Sequence, residues 1–241
     1  MPMNFKINFI TKNALYSLYF FVSLIEVIAE FFNNTTAIMI SKPLILPVLA
    51  VIYIKKSNKF NKVFIIALFF SWLANIFYIN TDFKNVAIGS FLFLIYRILI
   101  IYIVLNKIKL PSRLPMIVGC LPFLSLYLYS ISLTYDQVGD SIYLFIFQGV
   151  FLIILGGFSL GSFIMNSNNR NTLLLISTML FTFTQFLLLI KRLYIDLDIF
   201  QPLAMIMFVF AQFLLYKFMI STEKDKQKMK VKAEKFRYLK S

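Results

Sequence analysis

Long, uninterrupted apolar segments are the feature that most restricts how this chain folds. They follow one another along the sequence and are separated by short polar connections. Each is about 20 residues long, the length that an α-helix needs to cross about 30 Å of hydrocarbon. Because 60% of the residues are hydrophobic and 14% are charged, we predict an integral membrane protein. The predicted spans are residues 14–32, 37–54, 63–79, 86–105, 115–133, 141–164, 172–190 and 202–220.

The predicted fold class is all-α, a polytopic membrane bundle of eight transmembrane helices. The strands of a membrane β-barrel alternate apolar and polar residues, whereas a stretch such as "FLFLIYRILIIYIVL" is apolar on all sides. Short connections favour antiparallel neighbours. We expect one transmembrane domain at residues 1–220, followed by a basic cytoplasmic tail at residues 221–241.

The charges between the segments predict which side of the membrane each connection occupies. Most of the 24 Lys and Arg residues lie before the first segment, in every second connection after it, and in the tail. Cytoplasmic loops are enriched in Lys and Arg, so both termini are predicted to be cytoplasmic. The opposite connections instead carry five aspartates, namely Asp82, Asp136, Asp140, Asp196 and Asp198.

The same distribution explains the formal net charge of +14. A strongly basic chain can indicate nucleic-acid binding, but here membrane topology accounts for the excess, and we predict no nucleic-acid partner. The tail either lies against anionic lipid headgroups or is a solvated topology anchor. The oligomeric state stays open.

Histidine and cysteine usage restricts the chemistry that is open to the chain. There is no histidine, and Cys120 is the single cysteine. This excludes an intrachain disulfide and a multi-cysteine metal site, so we predict no metal and no cofactor. Carboxylates, Lys and Tyr are left as candidate proton carriers.

Small residues in the sixth segment have a structural interpretation. The stretch "GFSLG" places Gly157 and Gly161 four residues apart. This spacing lets a neighbouring helix approach closely in a membrane. We therefore predict a packing role for these glycines.

Polar side chains inside the spans are the strongest candidates for function, because hydrocarbon penalises them. They are Glu26, Glu30, Lys42, Asn75, Arg97, Gln148, Gln185 and Gln212. Two acids and two bases balance in charge.

Glu26 and Glu30 are four residues apart and share a helix face, so a cation, Lys42 or Arg97, is expected against that face. One polar pocket that opens outward would collect the whole set. The alternative is a series of independent interhelical hydrogen bonds or snorkelling side chains.

Several short motifs resemble those of the YhhN family of lysoplasmalogenase-like membrane proteins. In "SKPLILPVLAVI", Lys42 and Pro43 match the family's Lys-Pro-Leu segment. In "FFSWLANIFYI", Ala74 and Asn75 stand where the family has a Gly-Asp pair.

Three further motifs follow in the family's order. The family's Gly-x3-Phe-x3-His pattern falls on "GSFLFLIYR", its Phe-x-x-Ser-Asp element on "FTFTQFLLLIKR", and the ending of its last helix on "AQFLL". The aligned residues are Gly89, Phe93, Arg97, Phe181, Thr184, Gln185, Ala211 and Gln212. The resemblance implies eight helices in the bacterial inner (cytoplasmic) membrane, and a membrane lipid or lysolipid as partner.

The resemblance also implies an activity, hydrolysis of the vinyl ether bond of lysoplasmalogen-type lipids. Two carboxylates could share the proton delivery and water activation that this reaction needs. Here both family aspartates are amides, Asn75 and Gln185, and the histidine is Arg97. The candidate catalytic positions are therefore Asn75 and Gln185, with Glu26 and Glu30 as possible replacement acids. Lys42, Arg97 and Gln212 are the candidate substrate-binding residues, because Lys and Arg suit a lipid phosphate.

Three functions remain open from the sequence. The first is a membrane hydrolase of ether lysolipids, which the resemblance implies. The second is a non-catalytic relative that binds such lipids, which the lost acids favour. The third is a small transporter, suggested by the buried charges alone, although internal repeats and matching broken helices are not found in the sequence.

Overall fold

A computed structural model describes residues 3–80, 82–138, 142–195 and 197–238. These residues form α-helices joined by short turns, as the apolar segments predict. The helices are α1 (Met3–Phe31), α2 (Thr35–Lys56), α3 (Lys62–Phe77), α4 (Phe83–Lys107), α5 (Arg113–Val138), α6 (Ile142–Met165), α7 (Asn169–Leu193) and α8 (Phe200–Tyr238).

The helix lengths agree with a polytopic membrane bundle. Seven of the eight helices are long and apolar enough to cross a membrane, and α3 is a shorter apolar helix of 16 residues. At about 1.5 Å per residue, α3 rises about 24 Å, somewhat less than the about 30 Å of a hydrocarbon core. The all-α fold class is confirmed.

Two helix boundaries differ from the predicted spans. The first helix begins at Met3 rather than near residue 14, and the last runs on to Tyr238 rather than ending near residue 220. Hydropathy marks only the part of a helix that lies in hydrocarbon, so polar turns that continue the helix escape it. The separation of the chain into residues 1–220 and a tail stays a prediction, because the backbone of α8 passes through that boundary as one helix.

Sequence neighbours pack side by side in pairs, α1 on α2, α3 on α4, α5 on α6 and α7 on α8, and α8 also contacts α1 and α2. Large side chains between these helices are fully buried, among them Tyr19, Leu49, Tyr53, Phe64, Leu174 and Phe218. The outer faces carry exposed apolar side chains such as Phe21, Phe69, Leu114 and Ile117. A surface this apolar is stable in lipid, where backbone polar groups must be satisfied inside the helices.

A proline within α2 leaves one backbone carbonyl without its helical donor, and a side chain of α3 donates to that carbonyl instead. In an α-helix the carbonyl of residue 43 accepts a hydrogen bond from the N–H of residue 47. Residue 47 is a proline and has no N–H. The indole Nε1 of Trp72 donates to the Pro43 oxygen instead, at 2.8 Å. This bond joins α2 to α3 at the motif that contains Lys42.

Glycines allow α5 and α6 to approach closely. A Cβ added to Gly119 would lie 2.7 Å from the Gly157 oxygen and 2.9 Å from the Gly161 nitrogen. A Cβ on Gly161 would lie 2.9 Å from the Pro115 oxygen. These distances are too short for any side chain, so the predicted packing role of Gly157 and Gly161 agrees with the structure.

Candidate functional site

The turn between α1 and α2 brings a buried cation against two buried acids. Asn33 has a φ of 51°, a left-handed conformation that Asn tolerates. The Asn34 side chain then caps α2 by accepting a hydrogen bond from the Ala37 N–H at 3.1 Å. This tight reversal folds α2 back along α1, so that residues of both helices face each other near the turn.

Lys42 is the cation. Its Nζ lies 2.5 Å from Glu30 Oε1 and 3.6 Å from Glu26 Oε1. All three residues are buried: Lys42 is 4% exposed, Glu30 is 5% exposed and Glu26 is 0% exposed. The prediction that a cation lies against the face of Glu26 and Glu30 is confirmed for Lys42. Arg97, the alternative cation, takes part in neither ion pair.

Two neutral side chains complete this acid cluster, by which we mean Glu26, Glu30, Ser41, Lys42 and Gln201. The Ser41 hydroxyl is within hydrogen-bond distance of Glu26 Oε2. The Gln201 amide, at the start of α8, donates to Glu30 Oε1 at 3.4 Å. Glu26 Oε1 is buried and has no hydrogen-bond partner among the described residues. The cluster therefore joins α1, α2 and α8.

Arg97 lies in a second group, the arginine cluster, formed with Gln148 and Gln185. Its Nη1 donates to the Gln148 carbonyl oxygen and its Nη2 to Gln185 Oε1, both at 2.8 Å. Gln185 Nε2 in turn donates to Gln148 Oε1 at 3.0 Å. The guanidinium also stacks over the Phe93 ring at 5.4 Å. Within the described part of the chain, no carboxylate pairs with Arg97, although the residue is only 4% exposed.

Asn75 belongs to a third group, the amide cluster, with Ser71, Tyr96 and Gln212. Asn75 Nδ2 donates to the Ser71 carbonyl oxygen at 2.8 Å. Gln212 Nε2 donates to the Ser71 hydroxyl at 2.9 Å, and the Tyr96 hydroxyl donates to Gln212 Oε1 at 3.2 Å. This cluster ties α3 and α4 to α8.

Two small cavities flank the arginine cluster. Arg97 lines one together with Phe93, Phe181 and Ser177, and Gln185 lines the other together with Tyr127 and Phe186. Each has a volume of about 20 Å³, roughly the space of one water molecule. Both cavities include Leu152 and Thr182 in their walls, so they are neighbours.

The polar residues thus form three groups rather than the single outward-opening pocket expected from the sequence. Among described side chains, no hydrogen bond or ion pair joins the acid cluster to either of the other two. The reason is that most of these buried polar groups find a nearby partner, either on an adjacent helix or, as for Asn75 and Ser71, on the same helix. The hydrogen-bond alternative describes Gln212, which joins α8 to α3 and α4, better than a shared cavity does.

Some members of these groups were not singled out as site residues from the sequence. Ser41 and Gln201 complete the acid cluster, Gln148 completes the arginine cluster, and Ser71 and Tyr96 complete the amide cluster. Gln148 could have been selected as a site residue, because it is a polar residue in an apolar segment. Serine and tyrosine are common in membrane helices, so their partners become visible only when the helices are placed together.

These features define a class, a polytopic helical membrane protein whose interior holds a buried ion-pair cluster and hydrogen-bonded amides. The YhhN family matches residues 37–219, well over half of the chain, and the protein belongs to that family. No curated protein and no solved structure matches the chain. The matched region contains Lys42, Asn75, Arg97, Gln185 and Gln212 but not α1, which supplies both acids of the acid cluster.

Proposed function

We propose that this YhhN-family protein binds an ether lysophospholipid of the lysoplasmalogen type and hydrolyses its vinyl ether slowly or not at all. The observation that carries the proposal is the environment of Arg97. It is a buried guanidinium whose described hydrogen-bond partners are both neutral. A buried charge without a counter-ion is costly, and an anionic ligand would remove that cost.

A lipid phosphate is an anion that suits this position. A guanidinium has five N–H donors, and two of its nitrogens hold neutral acceptors that a phosphate could join or displace. Arg binds phosphate oxygens in a bidentate manner. The Phe93 and Phe181 rings in the adjoining cavity wall provide apolar surface for the alkenyl chain of the same molecule.

Binding requires the cavities beside Arg97 to enlarge. Lipid-sized ligands occupy sites of roughly 300 Å³ or more, far above the about 20 Å³ of each cavity. The second cavity borders α5 through Leu126, Tyr127 and Ser130. Among the candidate membrane spans α5, at Arg113–Leu133, has the lowest buried share, 17%, so we propose that a lipid enters beside it.

The amides at the family's acid positions support binding without turnover. Asn75 donates a hydrogen bond and Gln185 both donates and accepts, but an amide neither delivers nor takes up a proton at neutral pH. An amide also gives no electrostatic stabilisation to an oxocarbenium-like cation, as a carboxylate would.

Lipid binding to the purified protein in nanodiscs tests the proposal. Native mass spectrometry would compare a lysoplasmalogen with the same alkenylglycerol lacking its phosphate. Arg97→Gln is expected to weaken binding of the phosphate lipid by about tenfold or more, since a charge-assisted hydrogen bond contributes about 1.5–3 kcal/mol. Binding of the phosphate-free lipid should change little. The exposed cation Lys217 offers a control, Lys217→Gln. Equal phosphate-lipid affinities of Arg97→Gln and the unaltered protein would refute the proposal.

Vinyl ether hydrolysis is the second candidate, favoured by the acid cluster. Glu26 is a fully buried acid beside Ser41 and Lys42, and such an acid could protonate the enol carbon in place of the missing aspartates. Aldehyde release in detergent is the assay. Strong release that Glu26→Gln abolishes would favour hydrolysis with Glu26 as the acid. Strong release that is indifferent to Glu26→Gln would exclude both mechanisms.

A further inference from the structure

The acid cluster contains more negative than positive groups. Two carboxylates, Glu26 and Glu30, lie within reach of one ammonium, that of Lys42. The neighbouring element α8 contributes the neutral Gln201, and α2 adds the neutral Ser41. If both acids were ionised, the cluster would hold an uncompensated negative charge at a buried position, and a buried unpaired charge normally neutralises by taking up a proton.

The distances show which acid pairs with Lys42. Lys42 Nζ contacts Glu30 directly at 2.5 Å, and Gln201 donates to the same Glu30 oxygen. Glu30 therefore receives hydrogen bonds from two donors, as a carboxylate does. Glu26 lies 3.6 Å from Lys42, outside hydrogen-bond distance, and its Oε1 accepts nothing from the described residues.

The Ser41 hydroxyl gives a second, independent argument, because it has fewer hydrogens than its two contacts would need. It lies within hydrogen-bond distance of Glu26 Oε2 and, at 2.7 Å, of the Ala37 carbonyl oxygen. A hydroxyl has one hydrogen to donate, whereas an ionised Glu26 and the carbonyl are both acceptors. Both contacts are satisfied when Ser41 donates to Ala37 and a protonated Glu26 donates to the Ser41 oxygen.

We propose that Glu26 carries a proton at neutral pH, so that Glu26, Ser41, Lys42 and Glu30 form a buried proton-binding site. The site is then neutral as a whole, with one ion pair and one carboxylic acid. Glu26 would hold this proton whether or not a lipid binds at Arg97, since the acid and arginine clusters share no described contact. Its ligand is a proton, taken from water and held on Glu26 Oε2.

Infrared spectroscopy of the full-length protein in lipid tests this site. A protonated carboxyl group has a carbonyl stretch that is separate from the carboxylate bands and shifts in heavy water. That band is expected in the unaltered protein at neutral pH and should fall to background in Glu26→Gln. The amide of Glu26→Gln can donate to Ser41 as the acid does, so the variant should fold, which thermal unfolding would verify.

Three further variants examine the charge balance. Glu30→Gln frees Lys42 to pair with Glu26, so the band should disappear there as well. Lys42→Met leaves two acids without a cation, so the band should grow to about twice its area. Glu223→Gln is the matched control, because Glu223 accepts hydrogen bonds from Ser57 and Tyr53 far from the cluster. It should leave the band unchanged.

Two results would overturn the proposal. One is the absence of the band in the folded, unaltered protein at neutral pH. The other is a band that survives Glu26→Gln, which would place the proton on a different acid. Neither result bears on lipid affinity at Arg97, so the proton site and the lipid-binding function can fail separately.

Discussion

Two buried cations of the described residues, Lys42 and Arg97, meet opposite environments. Lys42 contacts carboxylates, whereas Arg97 contacts an amide oxygen and a backbone carbonyl. Since charges inside a membrane are expensive unless paired, the difference is the basis for assigning Lys42 a structural role and proposing Arg97 as the ligand-binding cation. Lys42 is already neutralised by its own chain, so it is a weaker phosphate-binding candidate than the sequence indicated.

Placing an acid beside Arg97 should stabilise the protein and weaken its binding of a phosphate lipid. In Gln185→Glu the new carboxylate would occupy the position of an oxygen that lies 2.8 Å from Nη2 of Arg97 and would form a buried ion pair. We expect a higher unfolding temperature and at least a tenfold weaker binding of the phosphate lipid, because the guanidinium is then compensated. Asn106→Asp, which adds a carboxylate at an exposed position of α4, is the control and should not weaken binding.

Thermal unfolding in detergent and lipid titration would measure both effects. A Gln185→Glu variant that binds the phosphate lipid as tightly as the unaltered protein would show that the charge of Arg97 is not what the lipid recognises.

Restoring both family acids should recover some hydrolysis. The double variant Asn75→Asp with Gln185→Asp would return carboxylates to the two positions at which the resemblance places catalytic acids. Partial aldehyde release is expected, because an aspartate side chain is shorter than that of Gln185 and would reach Arg97 less well. The two single variants serve as controls and should each release less than the pair. Equal release by a single variant would show that the two positions do not act together.

The residue pairings were only partly predictable from the sequence. Equal numbers of acids and bases in apolar segments predicted that Lys42 or Arg97 would contact Glu26 or Glu30, since an unpaired charge is hard to bury. The arginine cluster was not predicted, because a pattern along one helix does not say which helix lies beside it. The partners of Arg97 come from α6 and α7, more than fifty residues away in sequence.

At the scale of elements, the contact between α2 and α3 depends on one side-chain hydrogen bond to the backbone. Pro47 has no N–H to donate to the Pro43 carbonyl, so the indole of Trp72 donates to that carbonyl instead. The existence of the helices was predictable from hydropathy. The use of Trp72 as a backbone donor was not, because it depends on how α3 is rotated against α2.

Removing that donor should destabilise the bundle. Trp72→Phe keeps an aromatic ring but leaves the Pro43 oxygen without a partner, which costs about 1–3 kcal/mol. The expected result is a lower unfolding temperature. Phe91→Leu is the control, since Phe91 is an exposed aromatic side chain on α4. Unchanged stability of Trp72→Phe would mean that the carbonyl is satisfied in another way.

At the scale of the whole molecule, the predicted eight-helix topology requires that alternating connections lie on opposite sides of the membrane. The short α3 is the test of this arrangement, because its 16 residues are the fewest of any helix described. If α3 failed to cross, every connection after it would change side, and the basic connections would no longer share the cytoplasm.

Reporter fusions would establish the topology. Fusions at Ser57, Lys109 and Ser241 are expected to report the cytoplasm, and fusions at Asn34, Asp136 and Asp198 the opposite side. The basis is the positive-inside distribution of Lys and Arg. A cytoplasmic signal at Asp136 would contradict the eight-helix topology.

The pairing of Lys42 with Glu30 across a tight turn also bears on how the chain is made. A ribosome delivers α1 to the translocon before α2, and each helix alone would bring an uncompensated charge into the bilayer. The reversal at residues 32–34 is short enough for both helices to enter together as a hairpin, with their charges already matched. We therefore expect the first two helices to insert into the membrane as a single unit.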